Sequence, residues 1–96
     1  MAAKVLIVDD NPVIRHLLLS TIEQNPEWKV CGEAENGAIA IDKVKQLHPD
    51  VVILDLTMPI MNGLDAARAI RGIAPKIYIL LFTVHTFLQL SATAKV

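Results

Sequence analysis

The chain has a single cysteine, Cys31, among 96 residues. An internal disulfide is therefore excluded, and the expectation is a buried packing thiol in a reducing compartment. An excess of one charge is missing too: nine Lys and Arg face ten Asp and Glu, for a net charge of -1. Without a basic surplus there is no electrostatic footprint for nucleic acid or an anionic membrane. No apolar run approaches the ~20 residues that span a bilayer. The start "MAAKVLIVDD" has neither the basic end nor the longer apolar stretch of a signal peptide. These absences lead to the expectation of a soluble, cytoplasmic protein with no membrane partner and no direct nucleic-acid partner. Internal repeats, low-complexity tracts and linkers are also absent. The length suits one domain, residues 1–96, around a modest core.

What the chain does have is apolar residues, 53% of the total, in short runs between turn signals. "KVLIVDD" is too short for a buried helix and is bounded by "NP", which predicts a fully buried strand over residues 4–8. Asn11 then caps a helix with Pro12 in its first turn and Ile14, Leu17, Leu18, Thr21 and Ile22 at helical spacing, ending near "QNPEW". "WKVCGEAEN" alternates weakly as a second strand, and "ENG" opens a second helix carrying Ala38, Ile41, Val44, Lys45 and Leu47. Pro49 disfavours helical geometry at His48 and closes that helix. Residues 51–54 form a third strand, "MPIMNG" a loop, and residues 64–70 a third helix favoured by Ala66 and Ala67. After the break "IAPK", residues 76–82 form a fourth strand. "HTFLQLSATAKV" opens a fourth helix with Phe87, Leu88 and Leu90 on its apolar side. Strand and helix alternate strictly, so the expected class is α/β, a parallel sheet covered by helices on both faces.

In an open parallel sheet, ligands bind at the carboxyl ends of the strands, beside the reversal of strand order. Every chemically interesting residue falls at such an end: Asp9 and Asp10 after strand one, Asp55 in "VVILDLTMP" at the close of strand three, and Thr83 after strand four. If strands one and three are neighbours, three carboxylates converge and raise one another's pKa unless a cation is present. A few carboxylates plus waters suit Mg²⁺ better than an all-protein calcium cage. Asp55 is then a candidate nucleophile that forms an acyl phosphate, with the Thr83 hydroxyl holding phosphoryl oxygens. The plainer reading of "DDNP" is a turn and helix cap, and of a lone strand-end aspartate a solvated carboxylate. Only the sharing of one sheet edge favours a metal-assisted phosphate site, and both readings stand at this point.

"VLIVDDNPVIRHLL", "PDVVILDLTMPIMNGLDAARAIR" and "IYILLFTVH", in this order and spacing, resemble the receiver domain of bacterial two-component response regulators across nearly the whole chain. The resemblance implies a flavodoxin-like, doubly wound, three-layer αβα fold with strand order two-one-three-four-five. It implies that Asp55 is the phosphoacceptor and that Asp9, Asp10, Asp55 and the Thr57 backbone carbonyl hold Mg²⁺. Thr83 matches the switch hydroxyl that contacts the phosphoryl group. Pro59 and Gly63 match the turn after the acceptor strand, where glycine supplies unusual backbone angles. The implied partner is a sensor histidine kinase, with acetyl phosphate as a small alternative donor. The implied activity is self-phosphorylation of a signalling acceptor, which is not an enzyme.

Members of that family continue through a fifth strand, bearing a phosphoryl-contacting lysine and an aromatic switch residue, and a fifth helix. The sequence reaches Val96 within or just after the fourth helix, so the expectation is a receiver lacking its final strand and helix, with its output domain missing as well. Lys95 stands too close behind Thr83 to be that lysine and reads as a helix-end cation. Tyr78 comes too early to be the aromatic switch, and Phe87 reads as a packing residue. Without strand five, strand four becomes an apolar edge, which leads to an expected homodimer or aggregate through it, or exchange of helix four. His85 reads as an exposed loop histidine, and His16 and His48 have no partner at metal-ligand spacing. Trp28 is expected to pack at the start of strand two, and Met58 and Met61 to anchor the loop around Pro59. Two other functions compete. One is a phosphatase-like hydrolase, although Thr57 stands where such enzymes carry a second acid; the other is a binding module that keeps the fold without phosphate chemistry. "FTVH" resembles receivers joined to DNA-binding outputs, which makes transcriptional control an expected destination.

Overall fold

The computed structural model describes residues 2–58 and 60–83. Along them run β1 (Ala3–Val8), α1 (Pro12–Ile22), β2 (Trp28–Ala34), α2 (Gly37–Leu47), β3 (Val51–Asp55), α3 (Gly63–Ile73) and β4 (Tyr78–Phe82). The strands form one parallel sheet in the order β2-β1-β3-β4. The reversal of strand order therefore lies between β1 and β3, as the resemblance implies. The expected fourth helix, with Phe87, Leu88 and Leu90, lies outside the described residues, as do Pro59, His85 and Lys95.

Side chains of a strand point alternately to opposite faces, and here both faces are covered. Leu6, Val8, Val52 and Leu54 pack with Ala40 and Val44 of α2 and Ala66, Ala67 and Ile70 of α3. Val5, Ile7 and Ile53 pack on the other face with Leu18, Leu19 and Ile22 of α1. This explains why β1 and β3 read as unbroken apolar runs: neither has a solvent side. Each of the buried Leu, Ile and Val side chains contributes roughly 1.5–3 kcal/mol on leaving water.

The helix starts are set by asparagines. Asn11 accepts from the N–H groups of Val13 and Ile14, Asn36 from Ile39, and Asn62 from Asp65, each satisfying donors that a helix leaves unpaired. α2 stops at His48, whose left-handed backbone, φ 49°, is the residue before the buried Pro49. At the amino ends of the strands, Asp50 joins three elements. Its carboxylate accepts from the Lys4 N–H at 2.7 Å, its N–H donates to Lys4 O, and its own carbonyl accepts from the Tyr78 N–H.

Two boundaries differ from the expectation by more than one residue. α3 runs on to Ile73, and β4 begins at Tyr78 instead of Lys76. Arg71 is the reason: its guanidinium donates to the carbonyls of Pro75 and Ile77 at 2.7 and 2.6 Å, fixing the turn that follows α3. Cys31 is half-buried, not fully enclosed. It sits at an irregularity in the β1–β2 ladder, where Val5 pairs with Val30 but Leu6 pairs with Gly32. Burial raises its thiol pKa, so it is a poor nucleophile. Trp28 does open β2, but it lines an open groove and remains partly exposed. Met58 is buried and Met61 packs against the core, so both anchor the loop as expected.

Candidate functional site

The topology brings Asp9, Asp10 and Asp55 to one edge. Asp55 is the last residue of β3 and pairs with Phe82 of β4; Asp9 and Asp10 directly follow β1. Each carboxylate offers an oxygen, and these oxygens all lie within 4.8 Å of one another. Asp9 is 0% exposed and Asp55 2%, whereas Asp10 faces solvent. Buried acids are rare unless something compensates their charge.

Asp9 is held from several sides. Its N–H donates to Ala34 O at 3.0 Å, at the end of β2. Its Oδ1 accepts from the Asn11 N–H at 2.8 Å, and its carbonyl accepts from Arg15 Nη1 at 2.7 Å. Its Oδ2 is buried with no hydrogen-bond partner among the described residues. Burial pushes the Asp9 pKa up to about 6, the charges of Asp55 and Asp10 add to the rise, and the Asn11 N–H opposes it. Asp55 is raised for the same leading reason, burial, with a further push from Asp10 and an opposing hydrogen bond from the Thr57 N–H to Oδ1 at 3.1 Å. Repulsion among the acids thus contributes as expected, but exclusion from water is the larger cause.

An all-oxygen donor set with an unsatisfied buried carboxylate oxygen fits a hard divalent cation. The fit is specific to these residues. The capping role in "DDNP" belongs to Asn11, so neither Asp9 nor Asp10 is occupied as a cap. Thr57 is exposed beside Asp55. Thr83 directly follows β4, whose final carbonyl, Phe82 O, accepts from the Leu56 N–H at 2.7 Å. Leu56, directly after Asp55, is thereby tied to Phe82, directly before Thr83, at the same edge.

Gly63 fits the loop for a different reason than expected. Its φ is not in the left-handed region. A Cβ there would fall onto the carbonyl oxygen of Asp55 and lie 2.7 Å from Leu56 Cα. The start of α3 can approach β3 this closely only without a side chain. The left-handed residue of this loop is Ile60, φ 71°. His16 and His48 stand exposed and contribute nothing to the site. Arg15 went unnoticed in the sequence; the available signal was a cation on the first turns of the helix that follows the acid pair.

Residues 5–95 match the family described as "Response regulator receiver domain". Over 83 residues the chain is 43% identical to a protein-glutamate methylesterase/protein-glutamine glutaminase of Nocardioides sp., a match that covers 86% of this chain and 23% of that protein. It is 47% identical over 68 residues to the transcriptional regulatory protein YdfI of Bacillus subtilis, covering 71% of this chain and 32% of the relative. The chain thus spans about a quarter to a third of these two relatives. Among solved structures, a LuxR-family two-component response regulator from Aurantimonas sp. superposes with a TM-score of 0.84 and 35% identity, covering 88% of this chain and 61% of that one.

Proposed function

Because this chain belongs to the response regulator receiver family, we propose that Asp55 accepts a phosphoryl group from a phosphohistidine of a sensor histidine kinase. The observation that carries the reading is the pair of buried carboxylates, Asp9 and Asp55, with Asp10 beside them and an unsatisfied Asp9 oxygen. In this reading Asp9, Asp10, Asp55 and the Thr57 backbone carbonyl hold Mg²⁺. When bound, the ion supplies positive charge that offsets the carboxylates and the incoming phosphoryl group.

The chain's own groups do the rest. The Thr57 N–H fixes the Asp55 carboxylate on a strand buried on both faces, so the nucleophile is oriented before the donor arrives. An Asp55 oxygen attacks phosphorus in line; the P–O bond forms as the P–N bond to the donor imidazole breaks, and the ring leaves with the electron pair. The product is an acyl phosphate on Asp55. The Thr83 hydroxyl then contacts a phosphoryl oxygen, which makes it the group that senses modification. This is a stoichiometric self-modification, so the chain acts as a signalling acceptor. The methylesterase and transcriptional names belong to longer relatives, and control of an output domain, in the cytoplasm, is proposed here by analogy to them. Family membership leaves the phosphatase-like alternative without support.

The test is intact mass after incubation with acetyl phosphate and Mg²⁺, beside Asp55→Asn. A labile phosphoryl adduct on the parent alone is expected. A folded parent without an adduct, or an equal adduct on Asp55→Asn, removes Asp55 as acceptor.

A further inference from the structure

We propose that Arg15 is a positioning residue for this carboxylate site, pinning the Asp9 main chain so that the acid cluster keeps its cation-binding arrangement. The proposal rests on the reading of Asp9, Asp10 and Asp55 as a Mg²⁺ site. One guanidinium reaches two elements: Nη1 donates to Asp9 O at 2.7 Å, and Nε donates to Glu33 Oε1 on β2 at 3.1 Å. The Arg15 side chain is 18% exposed, so it is largely withdrawn from water.

Placing a fixed cation next to a cation-binding cluster is electrostatically adverse, because like charges at this range repel. Arg15 therefore contributes through geometry. Its charge is matched by Glu33, and its fork satisfies the one main-chain polar group of Asp9 that the sheet does not pair. With the Asp9 N–H on Ala34 and Oδ1 on Asn11, the residue is restrained on every side except Oδ2. Lysine has the charge without the planar fork and cannot hold both acceptors in this way.

The opposed signs of charge and geometry make the test decisive. Mg²⁺ is titrated calorimetrically into the metal-free chain, its Arg15→Met and Arg15→Lys variants, and Asp9→Asn. Loss of a positive charge alone would tighten Mg²⁺ binding in Arg15→Met and leave Arg15→Lys unchanged. Loss of positioning weakens both, by about tenfold, the lower end for outer partners of metal ligands. Urea midpoints with and without Mg²⁺ separate a purely structural role. A positioning role shrinks the increment that Mg²⁺ adds, whereas a structural role lowers both midpoints equally. Unchanged or tighter binding in both variants, or equal midpoint losses, overturns the proposal and leaves the Mg²⁺ reading standing. A parent that binds no Mg²⁺ overturns both.

Discussion

At the scale of single residues, the largest electrostatic liability is Asp9. Burial pushes its pKa up from the ordinary 3.8 to about 6, so the native state binds this proton more tightly than the unfolded state does. Its contribution to stability is greatest at and below pH ~4, falls as pH rises through the window to about 6, and is flat above it. Metal-free chain is therefore expected to lose stability between pH 4 and 6, by an amount on the order of 2 kcal/mol. Asp9→Asn should flatten that dependence and be the more stable protein at pH 7. Urea midpoints at the two pH values check this, and a slope shared by parent and variant would refute it. Two nearby positions, one in the loop after β3 and one at the start of α3, should respond oppositely to small substitutions. Ile60 is 84% exposed at φ 71°, so Ile60→Gly relieves backbone strain and is expected to stabilise by about 1 kcal/mol. Gly63→Ala forces a methyl into the Asp55 main chain and is expected to cost about 2–3 kcal/mol. Thermal unfolding of both variants measures the pair.

At the scale of elements, β4 stands apart from the other strands. It is one of the two sheet edges among the described residues, and Tyr78 and Leu80 are 65% and 47% exposed on the face that α1 covers elsewhere. With Ile22, Trp28 and Ile53 they line an open apolar groove. For the 96-residue chain we propose self-association along this edge, and light scattering should show mass rising with concentration. Leu80→Lys should suppress it; a constant monomer mass across a wide range rules it out. β1, β3 and the start of α1 were legible because burial on both faces leaves an unbroken apolar run and because Asn11 caps at a fixed offset before Pro12, whereas the Asn62 cap of α3 was read as loop. The end of α3 was not legible, because Arg71 reaches carbonyls of Pro75 and Ile77 through a turn that no periodicity encodes. The role of Gly63 was half legible. Its need for glycine could be read, but close approach to Asp55 becomes visible only once α3 packs onto β3.

At the scale of the whole molecule, the candidate site is a product of topology. Asp9 and Asp55 are 46 residues apart in sequence, the difference of their numbers, and meet because β1 and β3 are neighbours. Sequence order alone could place each acid at a strand end, while their separation and the orphaned Asp9 oxygen needed the sheet. Mg²⁺ should raise the unfolding temperature at pH 7 and do so less at pH 5, where protons compete for Asp9. An equal Mg²⁺ effect at both values would place binding elsewhere. The same strand order governs how the chain emerges during synthesis. The central strand β1 is made first, yet its partner β3 is complete only after Asp55. Until then Val5 to Val8, which the finished fold seals completely from water, travel without one of their two neighbours. During synthesis β1 therefore presents an apolar flank that is open to aggregation until β3 has been made.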